Sequence, residues 1–123
     1  MSPATIQASF EPTTANVARA RLLVRSSHAE VASGMVERVE LVVSELASNA
    51  VEHAKTPFGV RLIIGDPMRL EVTDGSREPP LVRKPAHLSV DGRGLLIVAA
   101  AADRWDYELI AGGKMVWAEF DDD

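Results

Sequence analysis

The chain is predicted to adopt an α+β fold, a two-layer α/β sandwich in which a mixed, mostly antiparallel sheet carries helices on one face. Three observations support this. Two pairs of strands are joined by tight turns, at Gly65-Asp66-Pro67 and at Ala111-Gly112-Gly113, and hairpins make antiparallel neighbours. The long helical patterns gather in blocks instead of alternating with single strands, which disfavours a parallel sheet. With 123 residues and a hydrophobic fraction of 46%, the chain is the size of one domain with a real core, so residues 1–123 are expected to form a single unit.

The elements follow in order. Thr5 to Phe10 alternates Ile6, Ala8 and Phe10 with polar residues, as a half-buried strand does. Thr13 or Thr14 is placed to cap a helix running to about Ser27, with Val17, Ala20, Leu23 and Val24 at helical spacing. Gly34 then separates it from a second helix, Met35 to about Ala54. On that helix Val36, Val39, Val43, Leu46, Ala47, Ala50 and Ala54 share one side, while Glu45, Asn49, Glu52 and His53 share the other. Leu41 and Val42 fall on the second side too, so it reads as the wall of a pocket or an interface.

Val60, Leu62 and Ile64 alternate in the next strand and Leu70 and Val72 in the one after it, which ends at Asp74. Gly75 to Asp91 contains Pro79, Pro80 and Pro85 and no periodicity, so a long irregular loop is expected, of a length usually tied to function. A helix rich in apolar residues from Leu95 to Ala102 follows, then strands at Trp105 to Ile110 and Met115 to Phe120.

Charge and composition narrow the function classes. A net charge of -5 gives no cationic field for a phosphate backbone, so direct binding of nucleic acid is not expected. Without cysteine there is neither a disulfide framework nor a thiolate zinc site. The apolar run Leu95 to Ala102 is too short to cross a bilayer, and the start of the chain lacks a signal-peptide pattern. A cytoplasmic protein with no membrane partner is expected.

Three clusters carry chemistry. Glu45 and Asn49 lie one helical turn apart; Asp74-Gly75 closes a strand; Gly92-Arg93-Gly94 opens a helix after the long loop. A Gly-x-Gly turn at a helix N-terminus exposes backbone N–H groups and suits a polyphosphate. An aspartate at a strand end accepts hydrogen bonds from an exocyclic amine such as that of adenine. An asparagine carbonyl is a hard ligand for Mg²⁺ when phosphates supply the others, and a glutamate one turn away is placed to orient or deprotonate an attacking hydroxyl. Taken singly, each cluster has a plainer reading: a solvated helix face, a simple turn, a loop needing positive φ. Arg93 serves equally as a phosphate contact or a surface ion pair, and His53, with no HExxH pattern, reads as a packing or capping residue.

"ELASNAVEHA" resembles the N box of the GHKL ATPase superfamily, "VTDGS" its first glycine box and "DGRGLLIV" its second. The branch it is most similar to is the histidine-kinase-like ATPase domain of bacterial anti-sigma factor serine kinases, from about residue 10 onwards. The resemblance implies the Bergerat ATP-binding fold with ATP and Mg²⁺ as cofactors: Asn49 as metal ligand, Glu45 as catalytic base, Asp74 and Gly75 at the adenine, and Gly92, Arg93, Gly94 and Leu95 at the phosphates. It implies an enzyme that phosphorylates a serine or threonine of an anti-sigma factor antagonist, sequesters a sigma factor, and forms a homodimer. The alternative is a binding module of the same fold that holds nucleotide without catalysis, or holds none. The sequence departs from the family pattern at Ser76, next to a glycine that follows Asp74 directly, and at Met115, where a threonine is common.

Overall fold

The structure, a computed structural model, describes residues 4–80 and 97–122. Gly92, Arg93, Gly94 and Leu95, and the part of the expected loop from 81 to 91, lie outside the described residues.

Strand β1 (Thr5–Phe10) is followed by helix α1 (Thr14–Arg25), a 3₁₀ turn (Ser26–Ala29) and helix α2 (Ser33–Asn49), which continues into a π-helical turn (Ala50–Ala54). Strands β2 (Phe58–Ile63) and β3 (Met68–Asp74) form one hairpin, and β4 (Arg104–Ile110) and β5 (Gly113–Phe120) another, after helical residues 97–101. The sheet order is β1-β2-β3-β5-β4, and every pairing between the described strands is antiparallel. The helices cover one face, as the two-layer expectation requires. Among the described residues no helix is long and apolar enough to cross a membrane.

Alternation along the strands decides what lies under the helices. Phe58, Val60 and Leu62 of β2, Met68, Leu70 and Val72 of β3, and Val116, Ala118 and Phe120 of β5 are all buried in one core with Val39, Val43, Leu46 and Val24. Each large apolar side chain contributes about 1.5–3 kcal/mol when fully removed from water, so this shared face dominates the driving force for folding. Residues one step out of phase, such as Arg61, Glu71 and Trp117, face the other side of the sheet.

Three local expectations are corrected. Thr13 does occupy the N-cap position of α1, but no side chain caps that helix; Asn16 instead donates to the Glu11 carbonyl at 2.9 Å. Gly34 does not separate the helices, because α2 already begins at Ser33 and the Val36 N–H reaches the Ala32 carbonyl at 3.1 Å. Val42 is fully buried where the helical wheel put it on the polar side, since α2 packs on α1 at one flank and over β3 and β5 at the other. That double packing widens the apolar arc. Leu41, by contrast, is 47% exposed.

Arg38 ties the layers together near the second hairpin. Its guanidinium donates to the Ala101 carbonyl at 3.1 and 3.0 Å and to Asp103 at 2.9 Å, and lies 5.5 Å from the centre of the Phe120 ring. A cation on the terminal carbonyl of a helix suits the negative end of its dipole, so Arg38 fixes where residues 97–101 stop.

Candidate functional site

The long polar-sided helix ends at the site. α2 delivers Asn49 in its last turn, and the chain then widens into the π turn, where the Lys55 N–H reaches the Ala50 carbonyl at 2.8 Å. Lys55 takes a left-handed conformation with φ of 56°, which stops the helix. Such wider turns are frequent at functional sites, and here the extra residue brings both His53 and Ala54 to the wall of a cavity.

The facing wall comes from the sheet. β3 ends at Asp74, and the register places Lys114 of β5 directly opposite. Both side chains project to the helix side, in phase with Val72 and Val116. They pair at 3.0 Å, with side-chain exposures of 9% for Lys114 and 7% for Asp74. The Asp74 Oδ1 atom accepts a second hydrogen bond, from the Ser76 N–H at 2.9 Å, so the turn after β3 is folded around this carboxylate. Gly75 is held from behind, its N–H donating to Thr56 Oγ1 at 2.8 Å. A β-carbon on Gly75 would stand 3.2 Å from the Thr56 side chain, which would have to give by a few tenths of an ångström to admit it.

Between these walls lies a cavity of about 150 Å³. Leu46, Ala54, Val72, Val116, Pro79 and Pro80 give it apolar surfaces, and Asn49, His53, Asp74, Ser76, Glu78 and Lys114 give it polar ones. The combination of apolar walls with a few placed polar groups is that of a ligand site. The Asn49 carboxamide, half-buried in this wall, has no hydrogen-bond partner among the described residues. Among those residues no group of three or more carboxylate or histidine side chains is gathered to hold a metal by itself.

The sequence-derived candidates are therefore distributed as follows. Asn49 and Asp74 line one cavity. Glu45 is half-buried one turn before Asn49 and is not among the cavity-lining residues. Gly75 supports the wall from outside it, facing a shallow surface with Thr73 and Gly112. Met115 points to the opposite side of the sheet, paired with Thr73 and remote from the cavity, so the departure from the family pattern at this position does not touch the site. His53, expected to pack or cap, is exposed at the cavity rim.

Lys114 is a site residue that the sequence reasoning misses altogether. A signal is present, because Lys114, Val116, Ala118 and Phe120 share one alternation phase and the other three are plainly core. Gly113 reads in the sequence only as part of a turn. In the structure it opens β5, and a β-carbon there would overlap the Asp74 carbonyl oxygen; only glycine lets β5 approach close enough for the Asp74–Lys114 pair.

A two-layer α+β domain with a cavity between helix and sheet is thus the class of protein defined by fold and geometry. Residues 10–120 match the histidine kinase-like ATPase domain family, and the chain belongs to that family. The crystal structure of the RsbU and RsbW domains of Rv1364c from Mycobacterium tuberculosis has the same fold, with a TM-score of 0.72 and 19% identity. That similarity covers 96% of this chain and 32% of the neighbour, so the chain spans about a third of its length. No curated protein sequence matches the chain.

Proposed function

We propose that this chain binds Mg-ATP and acts as an anti-sigma factor with serine/threonine kinase activity towards a small antagonist protein, working in the cytoplasm as a homodimer. The observation that carries the reading is the shared cavity: Asn49 from the N-box stretch and Asp74 from the glycine-box stretch, distant in sequence, line one hollow. Family membership supports nucleotide as the ligand class. The volume is below the roughly 300–1,000 Å³ of sites for drug-sized ligands, so the described residues enclose room for a base and not for a whole nucleotide.

In this reading each residue acts by position and charge. Asp74 accepts from the exocyclic amine of adenine, and Val72, Val116 and Leu46 exclude water from the ring. Asn49 offers its carbonyl oxygen to Mg²⁺, a role that fits a carboxamide with no partner among the described residues. Bound Mg-ATP would supply the phosphoryl group and neutralise its charge. Glu45 receives the proton of the accepting hydroxyl, and Gly92, Arg93, Gly94 and Leu95 take the phosphates.

Asn49→Ala should abolish Mg-dependent ATP binding in calorimetric titration while leaving the unfolding midpoint near that of the wild type; unchanged affinity refutes the role. A second reading, a nucleotide-holding module without catalysis, is favoured by one observation: Glu45 is not among the residues lining the cavity. Incubation with γ-labelled ATP and a purified anti-sigma factor antagonist separates the two. Only the kinase leaves label on the antagonist, and Glu45→Ala should then stop transfer while sparing binding.

A further inference from the structure

Lys114 has a place in the cavity that an apolar residue would fill as well for packing and that the proposed chemistry does not use. Its neighbours in phase along β5 are core residues, and a buried ion pair is a poor way to gain stability compared with an apolar pair of similar size. An ammonium carries three N–H donors. One reaches Asp74 Oδ1 at 3.0 Å, and the others have no partner among the described residues. Asp74 Oδ1 is occupied by Lys114 and by the Ser76 N–H, whereas Oδ2 receives no hydrogen bond from the described residues. The cavity is therefore offered a carboxylate acceptor and a cationic donor side by side, between the apolar walls of Leu46, Val72 and Val116.

We propose that Lys114 is a specificity-determining residue that reads the base jointly with Asp74. The Lys114 ammonium donates to the ring nitrogen N1 of a 6-aminopurine, and Asp74 Oδ2 accepts from the adjacent exocyclic amine. Adenine presents an acceptor next to a donor on that edge, matching the pair offered by the protein. A 6-oxopurine presents them in the reverse order and meets carboxylate with carbonyl in the same pose. The inference rests on the reading of the cavity as the base end of a nucleotide site.

The test is a calorimetric titration of the full chain with ATP, 1-deaza-ATP and inosine triphosphate, each with Mg²⁺, for the wild type and for Lys114→Met. The wild type should bind ATP about tenfold or more tightly than 1-deaza-ATP, the magnitude of one charge-assisted hydrogen bond, and should bind inosine triphosphate more weakly than ATP. Lys114→Met should bind ATP and 1-deaza-ATP with a ratio near unity. Comparing ratios within one variant removes any change in the folded fraction, and the double variant Asp74→Asn with Lys114→Met, which leaves no unpaired buried charge, should show the same ratio. Persistence of the wild-type ratio in both variants overturns the role of Lys114. Inosine triphosphate binding as tightly as ATP, with that affinity lost in Lys114→Met, overturns the 6-aminopurine assignment. Absence of any nucleotide binding by the wild type overturns the proposed function itself.

Discussion

On the outer face of the sheet, Arg69 bridges Glu71 at 2.8 Å and Glu119 at 3.1 Å, Arg104 reaches Glu119 at 3.1 Å, and Arg69 lies 4.6 Å from the centre of the Trp117 ring. On the inner face, among the described residues, charge is confined to Asp74 and Lys114 at the end of β3 and the start of β5. The outer charges are a ladder of cross-strand and diagonal neighbours in which Arg69, Glu71 and Glu119 are half-buried and Arg61 and Arg104 stand open to water. The inner pair has no substitute and little solvent. The two faces share strands and spacing, so burial alone separates a solvated surface from a site.

The largest expected effect sharpens that contrast. Lys114→Ala leaves the Asp74 carboxylate buried without its cation and should lower stability by about 3–5 kcal/mol. Arg61→Ala on the outer face removes a partner of Glu71 that stands 3.7 Å away and is 53% exposed, so it should cost less than about 1 kcal/mol. Urea denaturation of both variants measures the difference. Equal losses would mean that the inner pair is as wet as the outer ladder, and the distinction between the faces would fall.

A pair of glycine substitutions tests the backbone side of the same contrast. Gly113→Ala forces a β-carbon into the Asp74 carbonyl, where neither partner is a flexible side chain, and should destabilise by about 1–3 kcal/mol or more. Gly34→Ala adds a β-carbon to open space in the first turn of α2 and should stabilise by up to about 1 kcal/mol. The signs should be opposite in the same denaturation assay. A neutral Gly113→Ala would show that β5 can retreat from β3 without loss.

Much of this architecture is legible in the residues, and the failures have identifiable causes. Strand alternation places Ile6, Leu62 and Val72 on the covered face, and helical spacing finds the core stripe of α2, because both signals depend on local periodicity. Asn49 and Asp74 stand out as polar groups at the ends of apolar elements. Val42 is misplaced because a helical wheel assumes one buried flank, whereas α2 has two. Lys114 and Gly113 escape notice because their meaning lies in the register between β3 and β5, a nonlocal fact. A lysine beside a turn reads as solvated until the residue opposite it is known to be a buried aspartate.

The smallest expected effect concerns the outer ladder and the carboxylates beside it, Asp103 before β4 and Asp121 after β5. Hydrogen bonds from Arg104, and secondarily Arg69, hold the Glu119 carboxyl below the usual carboxylate range. Arg104 does the same for Asp121, while the Asp121 N–H and then Arg38 do it for Asp103. For each group the folded value lies below the unfolded one, so its contribution is present in full above the unfolded value and is lost as pH falls towards the folded value. Arg104 itself is raised, but arginine is protonated in the unfolded chain at every accessible pH and adds no pH dependence. The urea midpoint should thus be flat from neutral pH to about pH 5 and decline below it. Arg104→Ala removes the leading cause for Glu119 and Asp121 and should shallow that decline, while Asp103, held first by a backbone N–H, keeps part of it. Because the Asp103 and Asp121 side chains are open to solvent and screened, and Glu119 is only half-buried, the slope should also shrink in high salt. An acid decline equally steep with and without Arg104 would transfer the pH dependence to other carboxylates and leave the charges of the outer face without a measurable part in stability.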